Sequence, residues 1–282
     1  MSVIAVVGAG VMGTDIASTL SYYGYNVILK DIHPEVLEEA PRIMRQKIRD
    51  YKMISTDLQD WNALDILNRI TFTDNYDAFD EVSWVIENIT EDLDAKISLY
   101  KELNHRCGQD TLFAVNTSCL PITKLASQLS RPDRVIGMHF MNPVPLNDIV
   151  ETVHGFHTSS ETESTAKVFL NSINRQPLLV KRDFPGFVSN RLSHLFMNEA
   201  AFLVQEGVAD PEQIDAIFRK GYSHKMGPLE TADLIGLDTV VQSLKVLFDS
   251  YQDSKFRCCP LLMQMVDAGL LGRKSGRGFY SY

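Results

Sequence analysis

Three glycines stand in the order Gly8-Ala9-Gly10-Val11-Met12-Gly13, directly after the apolar run Val3–Val7 and ahead of a helix-like stretch, Val11–Tyr23. In a strand–loop–helix setting the first glycine permits a tight turn, the second lets backbone approach a pyrophosphate, and the third lets helix and strand pack closely. The helix N-terminus then offers unpaired N–H groups to the phosphates, so Gly8, Gly10, Val11, Met12 and Gly13 form the expected cradle. The second strand-like run ends on Asp31, about 20 residues further on, where a carboxylate accepts the adenosine ribose hydroxyls and repels a 2′-phosphate. NAD is therefore expected over NADP, with Lys30 beside Asp31 as the one feature softening that preference. A second constellation lies further along. His139 sits inside the apolar run Val135–Met141, and Glu151 inside the next run, Asp148–Val153. A buried carboxylate is costly unless paired. On neighbouring strands the two side chains form a dyad in which the acid fixes the imidazole tautomer and leaves the other nitrogen as a general base near neutral pH. That is the apparatus needed to remove a hydroxyl proton as hydride leaves carbon.

The elements that must position these groups follow from periodicity. Short β-branched runs at Val3–Val7, Tyr25–Asp31, Arg69–Thr73, Trp84–Ile89, Leu112–Asn116, Val135–Met141, Asp148–Val153 and Pro177–Lys181 read as strands. Helix-length segments, among them Val11–Tyr23, Pro34–Tyr51, Glu91–His105 and Glu161–Ile173, lie between several of them, which is the pattern of parallel βαβ units with both sheet faces covered. Asp183-Phe184-Pro185-Gly186 breaks that pattern. Beyond it Phe187–Gln205, Pro211–Arg219, Asp233–Tyr251 and Pro260–Ala268 all read as helix. The expected fold is α/β, with a Rossmann-type NAD-binding domain over residues 1–183 and a second, all-helical domain over 184–282.

Composition agrees with that division. The chain has 282 residues, 45% apolar and 22% charged, as an ordinary globular protein does. A net charge of −9 argues against nucleic-acid or anionic-membrane partners, and no apolar run approaches the length of a membrane span. The four cysteines, Cys107, Cys119 and the adjacent Cys258 and Cys259, have neither zinc nor disulfide spacing, so the expected home is the cytoplasm. No metal is expected, since His154 and His157 lack a third ligand.

With these residues in place the chain resembles the short-chain 3-hydroxyacyl-CoA dehydrogenases, especially the bacterial 3-hydroxybutyryl-CoA dehydrogenases. The resemblance runs from Val3 to Tyr280 and is strongest at Gly8–Gly13, Val85–Lys96, Asn116-Thr117-Ser118, Gly137–Pro145 with Glu151, Pro185–Arg191, Met226–Glu230 and Gly272–Tyr280. It implies that His139 is the catalytic base and Glu151 its partner. It further implies that Ser118 contacts the substrate oxygen, that Asn190 reaches it from the second domain, and that Glu91, Lys96 and Asn116 lie near the cofactor. The expected reaction is NAD-dependent, reversible oxidation of a 3-hydroxyacyl thioester, in a homodimer joined through the helical domain whose interdomain cleft closes on substrate.

Plainer roles exist for several of these residues. Ser118 could form a helix cap or turn ahead of Leu120-Pro121, Asn190 could satisfy backbone at a helix start, and Glu91 with Lys96 could be an exposed helix pair. His194 reads as packing, and Met226-Gly227-Pro228 as helix-start architecture. The carrier of the thioester also stays open. Asp148 stands where relatives commonly have lysine, Leu261–Asp267 is poor in basic residues, and Lys47, Arg49 and Lys52 remain as cations on the first domain's long helix. Coenzyme A phosphates favour such cations. An acyl-carrier-protein thioester, such as a glyceryl group bound for a polyketide extender unit, would undergo the same chemistry without them. A lysine-based β-hydroxyacid dehydrogenase is disfavoured by Asn190 at the helix start, and a non-catalytic relative by the presence of His139 with Glu151.

Overall fold

The computed structural model describes residues 3–282, which divide into two compact units with the boundary between Asp183 and Phe184. The first unit contains β1 (Val3–Val7), α1 (Val11–Tyr22), β2 (Asn26–Lys30), α2 (Pro34–Ile54), α3 (Ala63–Leu67), β3 (Ile70–Thr73), β4 (Trp84–Glu87) and α4 (Leu93–Arg106). It continues through β5 (Leu112–Val115), α5 (Ile122–Ala126), β6 (Val135–Phe140), β7 (Ile149–Val153), α6 (Ser160–Ser172) and β8 (Gln176–Val180). The strands make one eight-stranded sheet in the order β3-β2-β1-β4-β5-β6-β7-β8. Central strands such as β1 and β4 are apolar along nearly their whole length because helices cover both faces. Ile4, Val6, Leu29, Ile86 and Ile136 are among the wholly buried or nearly wholly buried side chains of the resulting core.

Every neighbouring pair is parallel except β6 and β7, which run antiparallel, so the expectation of parallel units holds for the sheet with this one reversal. The reversal is compatible with the short connection, residues 141–148, because an antiparallel return needs no crossover helix. Helix starts are set by side chains that accept otherwise unpaired N–H groups. Asp92 takes the Ala95 N–H at 2.8 Å ahead of α4, and Ser159 takes the Thr162 N–H at 3.1 Å ahead of α6.

The second unit is helical: α7 (Ser189–Gln205), α8 (Pro211–Gly221), α9 (Pro228–Ile235), α10 (Leu237–Tyr251) and α11 (Pro260–Asp267). Its core gathers Met197, Ala201, Ala232, Leu237, Val240, Leu244 and Leu262. The single helix expected over Asp233–Tyr251 is two helices. Gly236 takes φ +102°, a conformation that L side chains rarely adopt, and its N–H closes α9 on the Ala232 carbonyl before α10 begins at Leu237. Met226-Gly227-Pro228 is architectural, as expected: Pro228 opens α9, and buried Asp215 lies so near Gly227 that a Cβ there would come within 2.2 Å of its carboxyl carbon.

Candidate functional site

The glycine loop connects β1 to α1 and is anchored to the end of β2 by the Gly8 N–H, which donates to the Lys30 carbonyl at 2.7 Å. Gly8 takes φ +101°, and a Cβ there would fall 2.6 Å from the Asn88 carbonyl oxygen. At Gly13 a Cβ would fall 1.7 Å from the Gly8 carbonyl oxygen, so the third glycine is a packing requirement. Gly10 is different, because nothing lies within 4 Å of its Cβ position. Its open side leaves the backbone accessible, and the N–H groups of Val11, Met12 and Gly13 have no acceptor inside the helix. α1 carries no capping side chain and no acid in its first turn to compete for them.

Asp31 follows β2 and already has work to do. Its Oδ2 accepts the Ala9 N–H at 2.8 Å and its Oδ1 the His33 N–H at 3.1 Å, so the acid ties the glycine loop to the segment beside it. Lys30, the residue expected to soften cofactor preference, is 2% exposed, with its ammonium 4.4 Å from the Tyr76 ring centroid. Burial pulls its pKa down, against the opposing pull of Asp31. A cavity of about 580 Å³ opens here, lined by Gly10, Asp31, His33, Tyr76, Asn88 and others, within the usual size range of small-molecule sites.

At the other side of the sheet's midline the β6–β7 register sets His139 directly opposite Glu151. Their side chains meet, His139 Nδ1 to Glu151 Oε2, at 2.8 Å, and both residues are buried. An ionised carboxylate only accepts, so the proton of neutral imidazole resides on Nδ1 and Nε2 presents its lone pair. Ser118 Oγ stands 3.4 Å from that Nε2. The alternative reading of Ser118 as a helix cap does not hold, because α5 begins at Ile122 and the capping position is Pro121.

Asn116, Glu91 and Lys96 build the platform under Ser118. The Asn116 amide donates to Asn88 Oδ1 at 2.7 Å, while its own oxygen accepts the Phe140 N–H at 3.1 Å, joining the ends of β4, β5 and β6. Glu91 Oε1 accepts Thr117 Oγ1 at 2.5 Å, the Ser118 N–H at 2.8 Å and the Cys119 N–H at 3.1 Å. The reading of Glu91 and Lys96 as an exposed pair is corrected by burial: Lys96 is 0% exposed, and its 2.6 Å partner is Glu87, with Glu91 at 3.8 Å. Glu87 escaped the sequence reading, although an acid closing the apolar run Trp84-Val85-Ile86 is the signal that marks it. Burial pushes its carboxyl up, opposed by the ammonium of Lys96 and the Ile89 N–H.

Of Lys47, Arg49 and Lys52 on α2, the two lysines are occupied within the unit. Lys47 donates to Asp15 Oδ1 at 2.9 Å and to the Val11 carbonyl at 2.8 Å, and Lys52 to the Trp61 carbonyl at 3.2 Å. Arg49 and Asp148 are exposed. His154 pairs with Glu163 at 2.9 Å. Among the described residues no group of three or more His, Cys, Asp or Glu side chains is arranged for a metal, and no helix is long and apolar enough to cross a membrane. Burial pushes the Cys107 thiol up to about 12 and the Cys258 thiol up to about 11, which leaves both poor nucleophiles.

In the second unit Asn190 lies in the first turn of α7, and its carbonyl faces His194 Nδ1 at 2.9 Å. His194 is 3% exposed, and burial holds its pKa below the ordinary value of 6.5. The unfolded chain therefore takes up a proton below pH 6.5 that the folded chain resists, so stability present above 6.5 is lost as pH falls towards the folded pKa. The unfolding free energy from urea titrations between pH 7.5 and 5.5 is expected to fall by up to about 1.4 kcal/mol per pH unit from this group, and His194→Gln should flatten that slope. An equal slope in the variant would remove His194 from the account.

Comparison with known proteins agrees with this geometry. Residues 3–184 match the family model described as 3-hydroxyacyl-CoA dehydrogenase, NAD binding domain, and residues 186–282 the model of the same family's C-terminal domain. The chain is 44% identical to a probable 3-hydroxybutyryl-CoA dehydrogenase of Bacillus subtilis (strain 168), covering 99% of this chain and 96% of that protein. It is 39% identical to the 3-hydroxybutyryl-CoA dehydrogenase of Clostridioides difficile, over 99% of each. Among solved structures, the (S)-3-hydroxybutyryl-CoA dehydrogenase of Ralstonia eutropha matches with a TM-score of 0.92 at 38% identity, covering 100% of this chain and 99% of that one. With both family models matched in order along nearly its full length, this chain belongs to the 3-hydroxyacyl-CoA dehydrogenase family.

Proposed function

We propose that the protein oxidises the 3-hydroxyl of a short 3-hydroxyacyl-CoA, 3-hydroxybutyryl-CoA in the first instance, to the 3-oxo thioester, and catalyses the reverse reduction. The observation that carries this reading is the buried His139–Glu151 pair at 2.8 Å, with His139 Nε2 3.4 Å from Ser118 Oγ, in a unit that matches an NAD binding domain. NAD, when bound, accepts the hydride that leaves C3. The glycine loop, the first turn of α1 and Asp31 are the residues that would hold it, and the open face of Gly10 fits a phosphate. His139 Nε2 takes the hydroxyl proton, and the Glu151 carboxylate stabilises the imidazolium that results. Ser118 Oγ orients the substrate oxygen. In the reduction the imidazolium returns the proton.

The relatives named above carry CoA in their names, and none of them supports the carrier-protein alternative. Exposed apolar side chains of the helical unit, including Leu192, Tyr222 and Leu234, support a homodimer. Four free thiols suit a reducing cytoplasm.

The test is a turnover panel with (S)-3-hydroxybutyryl-CoA, longer 3-hydroxyacyl-CoAs and a glyceryl carrier protein, each with NAD and NADP. Turnover of the CoA thioesters with NAD is expected, with NADP poorer by about 100-fold or more in kcat/KM. Asp31→Ala should shrink that preference to about tenfold or less, because the repelling carboxylate is gone. Turnover of the carrier-bound substrate alone would reassign the substrate, and an unchanged preference in the variant would remove Asp31 from cofactor selection.

A further inference from the structure

Glu87 and Lys96 are both wholly buried, and a hydrophobic pair of similar volume generally stabilises a fold as well as or better than a buried ion pair. What distinguishes this pair is what it holds. The Lys96 ammonium lies 2.6 Å from Glu87 Oε1, 3.4 Å from the Asn116 carbonyl, 3.5 Å from the Ile89 carbonyl and 3.8 Å from Glu91 Oε2. One cation thereby gathers the end of β4, the segment that follows it and the end of β5. Glu87 Oε1 also accepts the Ile89 N–H at 2.8 Å, fixing the turn out of β4. Glu91, at 40% side-chain exposure, has one oxygen towards Lys96 and the other towards Thr117, Ser118 and Cys119. Without the ammonium, water competes for that carboxylate and the three donors lose a fixed acceptor.

We propose that the buried Glu87–Lys96 pair is a positioning device for the reaction: acting through Glu91, it sets the loop 117–119 that presents Ser118 Oγ to His139 Nε2. This deepens the dehydrogenase reading and rests on it for the catalytic consequence.

The test compares wild type with Lys96→Met, Glu87→Gln and the double variant Glu87→Met/Lys96→Met. Three quantities are read: amide exchange of Ser118 and Cys119, kcat with 3-hydroxybutyryl-CoA, and the Kd of NADH by fluorescence titration. Lys96→Met is expected to speed exchange at both amides by about tenfold or more, as loss of well-held charged hydrogen bonds does. It should lower kcat by about 10–100-fold while leaving the Kd of NADH within about twofold. Glu87→Gln should shift the same three readouts in the same directions. Should a single variant fail to fold, the double variant removes the charges together, and it should keep the wild-type melting temperature within a few degrees while still exchanging fast. Unchanged exchange in Lys96→Met, a double variant with wild-type exchange and kcat, or a Kd of NADH that rises in step with the loss of kcat would each overturn the proposal. If wild type fails to turn over any 3-hydroxyacyl thioester, the dehydrogenase reading fails, and the exchange comparison still decides whether the pair holds the loop.

Discussion

Replacing His139 with glutamine is expected to lower kcat for 3-hydroxybutyryl-CoA oxidation by about 10²–10⁴, the usual contribution of a positioned general base, while NADH binding stays within about twofold. The split follows from where the ring sits. His139 is on β6, next to Glu151 and Ser118, whereas Gly8, Gly10 and Asp31 belong to the β1 and β2 ends, so the substitution removes proton transfer without touching the phosphate cradle. Glutamine occupies similar length and retains a group able to hydrogen-bond Glu151, which keeps the buried acid from being stranded. Steady-state kinetics with a parallel NADH titration makes the measurement. Near-normal turnover would end the assignment of the base, and a matching loss of NADH affinity would show that the variant had disturbed the cradle instead.

Gly13→Ala is expected to destabilise the first unit by at least about 3 kcal/mol, at or above the upper end of ordinary overpacking. The added carbon would lie 1.7 Å from the Gly8 carbonyl oxygen, and both atoms belong to backbone held by strand and helix, so neither yields by a rotamer change. Gly10→Ala is the informative counterpart. Its added carbon meets no atom within 4 Å, so thermal stability should fall by only a few degrees, the cost of a lone methyl at a helix cap. That methyl, however, occupies the side from which a pyrophosphate approaches, and the KM for NAD should rise by about tenfold or more. Thermal unfolding and cofactor titration of the two variants separate packing from binding. Equal unfolding temperatures for both would contradict the division of labour among the glycines.

Much of the fold was legible because the central strands are buried on both faces and read as unbroken apolar runs. Tyr25–Asp31 overshot β2 by a single residue at each end, where flanking residues share the extended conformation without pairing in the sheet. Strand direction was not legible. Asp148–Val153 reads as a strand either way, and only the structure shows that it returns antiparallel and brings Glu151 to His139. The short helices α3 and α5 span five residues each, too few for a period of 3.6 to show. Gly236 lies within a continuous helical pattern, and a glycine there does not disclose that its φ is positive. The plainer alternative for Lys96, an exposed helix pair, fails for a related reason: its sequence neighbours are those of a solvated helix, while its burial comes from β4 and β5, brought up by the sheet. The resemblance of motifs named candidate residues, and the tertiary structure shows how His139, Glu151, Ser118, Glu91 and Asn116 of the first unit support one another.

The anchoring of Ala9 by Asp31 bears on any attempt to re-engineer the dinucleotide preference. On the proposed reading, exchanging the acid for a small neutral residue removes the group expected to reject a phosphorylated ribose, and in the same stroke it removes the acceptor that ties down the Ala9 amide of the glycine turn. Asparagine, which retains an acceptor for the Ala9 amide, is the sounder first choice, and a new cation must be introduced beyond position 31, because Lys30 is already engaged with the face of Tyr76.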